Sequence, residues 1–343
     1  MGGEDTVNPP APDTSPLSES PLSVAEEREL LEEEEVMSEV HLGCPPNFSG
    51  PFISHFTFSL PSHECDPDSS KHIVDLDEDG DLIVARRTKQ SSYCGGVTIQ
   101  HNIKSTIPSV GLQVWRAELV LADFVLHKTF VSSEFDGVVA VELGAGTGLV
   151  GILVARAAHA VFITDHGIEV LNNCARNVHV NSGIFRSECS VKVRELDWLK
   201  PWPPLALKLK TRWSWTSSEV EQISRASVLL AADVIYSDEL TDAFFGVLEK
   251  LMSQGSTKVL YLALEKRYNF SLNDLDVVAN GYSHFRSYLI DGEDVDAETD
   301  GMTGGFVGKP IDVSEIPQYV REYERGEDVE LWEIKSTMNP PAR

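Results

Sequence analysis

The run Val138 to Leu143 reads as a strand, and it leads directly into Gly144, Ala145, Gly146, Thr147 and Gly148, after which Leu149 to Leu153 opens an apolar helix. Glycine lacks the Cβ that forbids tight turns, so a ligand can approach the backbone there. The start of the following helix offers N–H groups that no helical carbonyl takes. Strand, glycine turn and helix form a ligand-binding arrangement. Gly146, Gly148 and Gly151 also satisfy the dinucleotide pattern G-x-G-x-x-G. The first glycine after the strand is Gly144, however, and counted from it the third glycine would fall on Leu149. With Glu142 inside the strand end, the register fits [Asp/Glu]-x-Gly-x-Gly-x-Gly better.

Three further groups stand where strands should end. Asp165 follows Gly144 by 21 residues and closes a second strand; a carboxylate there can accept hydrogen bonds from both hydroxyls of a ribose. Its bland reading is a helix cap. Asp197 and Trp198 close a third strand and offer an acceptor and a flat indole for an adenine. A strand-end carboxylate with a core tryptophan is the alternative. Ala232, Asp233, Val234, Ile235 and Tyr236 end a fourth strand, at the carboxyl edge where open α/β sheets bind ligands. This element lacks the Asn/Asp-Pro-Pro-Tyr/Phe sequence that accompanies chemistry on flipped bases.

The elements that must position these groups follow from hydrophobic period. From Gly111 onward, apolar strands alternate with amphipathic helices at intervals suited to a parallel sheet. A helix from Trp115 to His127 leads in. Strands are expected at Val138–Leu143, Val161–Thr164, Val191–Leu196, Ser227–Ala232, Val259–Leu264, His284–Ile290 and Val329–Ile334, with helices at Thr147–Ala158 and Gly167–His179. The result is a doubly wound seven-stranded α/β sheet over residues 111–336, preceded by a β-rich extension over 51–110 and followed by a short tail over 337–343. Within the extension, Phe56, Phe58 and Leu60 share one face. The acidic turn Asp75, Asp77, Asp79, Gly80 and Asp81 matches half of a calcium loop, but Arg86 stands where the bidentate Glu belongs, so a hairpin turn explains it and no metal is expected. Pro201 to Gln222, with Lys208, Lys210, Trp213 and Trp215, reads as an insertion whose tryptophans pack on the domain.

Composition bounds the partners. With 54 acidic residues against 28 Lys and Arg, the formal charge is -26, which opposes direct adhesion to nucleic-acid phosphates and suits a basic protein partner. Met1 to Val40 holds twelve acidic residues and one basic residue, Arg28. Residues 1–50 are therefore expected to be a disordered acidic arm, in which Leu30, Leu31, Val36 and Met37 could line one face of a helix against a partner. Five widely spaced cysteines without metal-ligand spacing suggest reduced thiols, and no apolar run reaches membrane-spanning length.

Trp115 in Gly111-Leu112-Gln113-Val114-Trp115, the turn from Glu142 to Gly148, Asp197-Trp198 and the Asp233-to-Tyr236 element together resemble the family-16 seven-β-strand protein-lysine methyltransferases. The resemblance implies S-adenosylmethionine as cofactor, held by Trp115, Glu142, Gly144, Ala145, Gly146, Asp165, Asp197, Trp198 and Ala232. It implies substrate-lysine placement by Asp233 and Tyr236. It also implies methylation of a non-histone, basic, nuclear or nucleic-acid-associated protein by a monomer in the nucleus and also the cytoplasm, with chaperone association. A small-molecule or nucleobase methyltransferase, or a non-catalytic cofactor-binding module, are the other readings the fold leaves open. Asn177 and Asn181 read as solvated or capping residues. Glu265, Lys266 and Arg267 read equally as a surface ion cluster or as substrate contacts, and Asp291 to Asp300 as a flexible acidic loop.

Overall fold

A computed structural model describes residues 35–41, 51–60, 93–204, 211–271, 276–291 and 305–337. The expectations for Leu30, Leu31, the Asp75–Asp81 turn and its flanking strands, Lys208, Lys210 and the loop beyond Asp291 lie outside the described residues.

In chain order, β1 (Glu35–Met37), β2 (Phe52–Leu60), β3 (Tyr93–His101) and β4 (Lys104–Thr106) precede α1 (Arg116–Val131). Then come β5 (Val139–Leu143), α2 (Leu149–Val154), β6 (Ala160–Asp165), α3 (Ile168–Val180), β7 (Ser190–Glu195), α4 (Ser217–Ser224) and β8 (Val228–Ala232). The chain continues with α5 (Asp238–Met252), β9 (Val259–Glu265), β10 (Asn269–Ser271), β11 (Asp276–Val278) and α6 (Asn280–Ser287). It closes with β12 (Leu289–Asp291), β13 (Phe306–Ile311) and β14 (Val329–Ser336). The central sheet runs β12-β13-β14-β9-β8-β5-β6-β7. β14 is antiparallel to both of its neighbours and the other pairs are parallel.

The central strands are near-continuous apolar runs because both faces are covered. Ala140, Val161, Ile163, Leu230 and Ala263 pack with α1, α2 and α3. The alternate residues Val141, Phe162, Leu229, Ala231 and Leu262 pack with α5 and α6 on the other face. After β5 the chain builds β6 and β7 on one side, then crosses to β8 and β9 on the other. This order reversal opens the crevice at the carboxyl ends of β5 and β8, where ligands bind in such sheets.

Three sequence expectations change. The segment His284–Ile290 is mainly α6, with only the edge strand β12 beyond it, and the strand beside β14 is β13. Gly308 and Pro310 disguise β13 in sequence, yet β12 pairs only with Phe306–Gly308, so at Pro310 the strand is already an edge where a missing N–H is tolerated. The helix expected from Thr147 to Ala158 is the six-residue α2. Val36 and Met37, expected in a disordered acidic arm with a partner-bound helix as the alternative, belong to β1, which pairs with β4. Residues 35–41 are thus part of the folded body rather than a disordered arm. Gln113, fully buried, holds this strap: its Oε1 accepts from Ser38 N at 2.7 Å and its Nε2 donates to Val36 O at 3.0 Å.

The β2–β3 ribbon buries Phe56, Phe58, Leu60, Val97 and Ile99 in the core shared with α1 and α3. Asn177, read from sequence as solvated or capping, is instead a buried clamp on β3, and Asn181, which does cap α3, is a second such clamp. Asn177 Oδ1 accepts from Gln100 N at 2.8 Å, and Asn181 Oδ1 accepts from Thr98 N at 2.9 Å. Their Nδ2 atoms donate to Gln100 O and Thr98 O, and Asn173 Nδ2 also reaches Gln100 O. A spacing of four along α3 presents one amide per turn to alternate residues of β3, a match that neither element shows alone. Asn177→Ala strands Gln100 N in a buried seam and breaks the bond to Thr147 O. It should lower unfolding free energy by on the order of 2–3 kcal/mol, measured by urea titration.

Candidate active site

The glycine turn is built by contacts that exclude side chains. Gly144 has φ +65°, and a Cβ there would lie 2.8 Å from Val234 Cγ1 and 3.1 Å from Trp198 Cη2. Gly146 has φ +51°, and its Cβ would lie 3.0 Å from the Gly111 carbonyl oxygen. The turn therefore seats the residues before α1 and the β8 loop against one another. Asp165, at the end of β6, accepts from Gly146 N at 2.7 Å and from His166 N at 2.7 Å. Its carboxylate is fixed beside the turn with lone pairs left for another donor.

Two carboxylates lie beneath the turn. Glu142 Oε2 accepts from Gly151 N at 2.9 Å, and burial, with the Glu118 charge, pushes its carboxyl well above the usual range. Glu118 takes the Thr147 hydroxyl at 2.6 Å and the Trp115 N–H at 3.4 Å, tying α1 to the turn. Sequence reading missed Glu118, although a glutamate three residues after a helix-opening position is a recognisable capping spacing. Burial lifts its carboxyl to about 7. A carboxyl raised on folding is favourable while protonated, so its contribution is full below the unfolded value near 4.5 and is lost as pH rises through about 7. Glu118→Gln should flatten the fall of unfolding free energy between those pH values by up to about 1.4 kcal/mol per pH unit, measured by denaturant titration across pH.

The predicted residues gather at the carboxyl edge in different states of engagement. Trp115 directly precedes α1 and donates from Nε1 to Val110 O at 3.0 Å, with the Arg267 guanidinium 4.9 Å from its ring centre. Ala145 is buried in the turn, and Ala232 ends β8. Trp198 meets Phe244 edge-on at 5.2 Å and leaves its buried Nε1 without a hydrogen-bond partner. Asp197 is occupied on both oxygens, by Leu199 N at 3.1 Å and by Lys200 Nζ at 2.9 Å. It organises its own turn, and an adenine amino group would have to share it. Trp213 is buried, and Trp215 stacks on Phe162 at 5.7 Å between ring centres.

Asp233 sits at φ +55°, the left-handed region that Asp tolerates better than most residues. Its side chain is 2% exposed, and it pairs with Arg267 Nη2. The sequence offered a free carboxylate here, whereas the structure neutralises it with a partner from just beyond β9. Burial raises the Asp233 carboxyl and the Arg267 charge opposes that rise. Glu265, whose N–H points to Asp233 Oδ1 at 3.5 Å, pairs with Arg116 at the start of α1. Glu265, Lys266 and Arg267 therefore belong to the site's edge, with Lys266 bound to Glu330. Nothing local in the sequence marks Arg267 as the partner of Asp233, because the pair is 34 residues apart and forms through the β8–β9 pairing.

Tyr236 is 40% exposed, and its hydroxyl is pushed up to about 12 by burial of the phenol end and by the charges of Asp165 and Asp233. It remains protonated at neutral pH and can donate or form a wall, but cannot serve as a base.

The donor set fits S-adenosylmethionine. A turn with no room for a Cβ at Gly144 or Gly146, a fixed carboxylate at ribose spacing and a buried indole N–H lacking an acceptor are what a nucleoside needs. Trp115, Gly144, Ala145, Gly146, Asp165 and Trp198 are the residues that would hold it, with Glu142 bracing the turn.

A family model for lysine methyltransferases matches residues 97–279. Methyltransferase-like protein 22 of Mus musculus is 36% identical over 326 residues, covering 84% of this chain and 80% of that protein. Methyltransferase-like protein 22 of Homo sapiens is 36% identical over 296 residues, covering 76% and 70%. EEF1A lysine methyltransferase 3 of Mus musculus is 29% identical over 176 residues, covering 51% and 64%.

Proposed function

The chain belongs to the lysine methyltransferase family, and on that premise we propose that it methylates a lysine of a basic, non-histone protein, with Asp233 and Tyr236 placing the amine. S-adenosylmethionine, when bound, would supply a sulfonium-bound methyl group whose carbon takes the amine nitrogen in line while the carbon–sulfur bond breaks and the thioether S-adenosylhomocysteine leaves. The observation that carries the reading is that the loop bearing Asp233 and Tyr236 lies directly on the glycine turn, where a Cβ at Gly144 would be 2.8 Å from Val234 Cγ1. The residues that would place the amine thereby stand beside the turn that would hold the cofactor.

The work left to the protein is alignment and exclusion of water. Asp233 orients the ammonium, while the wall formed by Tyr236 disfavours its charged form through desolvation. A neutral amine, once the proton has left to solvent, presents its lone pair to the methyl carbon. Neither group is assigned as a general base: Tyr236 keeps its proton, and Asp233 is already paired with Arg267.

The formal charge of -26 supports a basic substrate. The reading extends to a nuclear and also cytoplasmic location, which imaging of the tagged chain tests. The substrate class is tested by incubating the chain with methyl-labelled S-adenosylmethionine and an extract from cells lacking it, followed by separate protease and nuclease digestion. Label released by protease alone is expected; label released by nuclease, or found in metabolites, contradicts the proposal.

A further inference from the structure

Where β8 and β9 end, three carboxylates and two guanidiniums meet. Arg116 pairs with Glu265 and Arg267 pairs with Asp233, while Arg267 Nη1 also stands 3.6 Å from Glu39 Oε1. With all five ionised, the two guanidiniums are matched by Glu265 and Asp233, and Glu39 has only a second share of Arg267. One negative charge is in surplus. Lys266 does not offset it, being held by Glu330, and Glu118, which feels the Asp233 charge, adds to the excess when ionised.

The hydrogen bonds are short on the same side. Two acceptors, Glu39 Oε2 and Glu265 Oε2, are buried with no partner against one unpartnered donor, Arg267 Nε, so acceptors are in excess. Glu265 is 8% exposed, and burial and the Glu39 charge lift its carboxyl to about 7 against the opposing pull of Arg116, so the surplus is complete only where Glu265 is ionised. A buried acceptor left unmade costs on the order of 1–3 kcal/mol. One compact cation with several N–H donors would supply both the missing charge and the missing bonds, and an alkylammonium, with three donors, is such a cation.

Glu39 reaches this place on a rigid support. Ser38, fully buried beside it, donates from Oγ to Val114 O at 2.5 Å and from its N–H to Gln113 Oε1, and β1 pairs with β4. The His41 ring stacks on His101 with centres 4.4 Å apart, pinning the other side. A carboxylate held this way needs little ordering when a cation arrives.

We infer that Glu39, carried to the site by the strap of residues 35–41, is a substrate-recognition residue whose carboxylate, with Glu265, receives the lysine ε-ammonium that Asp233 orients. This rests on the lysine reading proposed above. It explains how a site whose Asp233 is already neutralised still attracts a cation: the uncompensated charge lies on the strap.

The test uses the full chain saturated with S-adenosylhomocysteine, and n-butylammonium as the probe, with 1-butanol as its uncharged counterpart. Glu39→Gln should weaken n-butylammonium binding about tenfold, the effect of removing one charge-assisted partner at about 1.4 kcal/mol, as read by ligand-observed NMR. Binding of 1-butanol and S-adenosylhomocysteine, and the thermal midpoint, should stay put, and Glu39→Asp should restore part of the loss. In turnover, the same variant should raise KM for the protein substrate more than it lowers kcat. A folded Glu39→Gln chain that binds n-butylammonium as wild type does overturns the inference, whatever the methylation result. Label on a molecule other than lysine overturns the functional reading separately, because the n-butylammonium comparison requires no turnover.

Discussion

Asp233→Asn is expected to lower kcat/KM for methyl transfer by roughly 100-fold or more, the size of loss that a misplacement of about 1 Å produces, while the chain stays folded. Asparagine fits the cavity of Asp233, tolerates φ +55° and can still accept from Glu265 N. It cannot neutralise Arg267, whose guanidinium then leans on Glu39. The amine loses the carboxylate that orients it and meets a less compensated cation in its place. Asp233→Ala is the poorer test. It leaves a non-glycine residue in the left-handed region without local side-chain bonding, at about 1–2 kcal/mol, and strips Arg267 of its closest partner, so lost activity would be mixed with lost stability. Steady-state kinetics on the Asn variant, with thermal melting alongside, decides the matter; wild-type turnover by the folded variant removes Asp233 from the mechanism.

Gly146→Arg should abolish measurable S-adenosylmethionine binding in calorimetry. Its φ is +51° and a Cβ would already press the Gly111 carbonyl oxygen at 3.0 Å. Any side chain therefore pushes the turn away from the segment that leads to Trp115. The Gly146 N–H that holds Asp165 moves with it, so the acceptor placed for the ribose shifts as well. Undiminished binding by this variant would mean that the turn from Gly144 to Gly148 is not where the cofactor lies.

The strand-end positions of the glycine turn, Asp165, the Asp197-Trp198 pair and the Asp233-to-Tyr236 element were legible in the sequence because each is local, a turn chemistry or a strand-end residue at fixed spacing. The sheet was legible for the same reason, wherever strands were apolar enough to be buried on both faces. β13 escaped because Gly308 and Pro310 interrupt the alternation that marks a strand, and pairing with β14 supplies what propensity lacks. The partners of the site escaped for a different reason. Arg267, Arg116 and Glu39 come from three separate segments, and only the tertiary fold brings them onto Asp233 and Glu265. Glu39 was the least visible, one of twelve acidic residues in a stretch whose composition argues for disorder. Asn177 was misjudged on the same ground, since an amide on a helix looks solvated until the strand it clamps is known, whereas Asn181 does cap α3 as read and clamps the strand besides.

The most direct measurement of the central claim is tandem mass spectrometry on extract proteins incubated with the chain and heavy-methyl S-adenosylmethionine, with Asp233→Asn run in parallel. The account predicts heavy methyl groups on the ε-nitrogen of a lysine in a basic protein, present with wild type and lost with the variant. Heavy methyl on another kind of atom, or equal lysine labelling by wild type and Asp233→Asn, would contradict it.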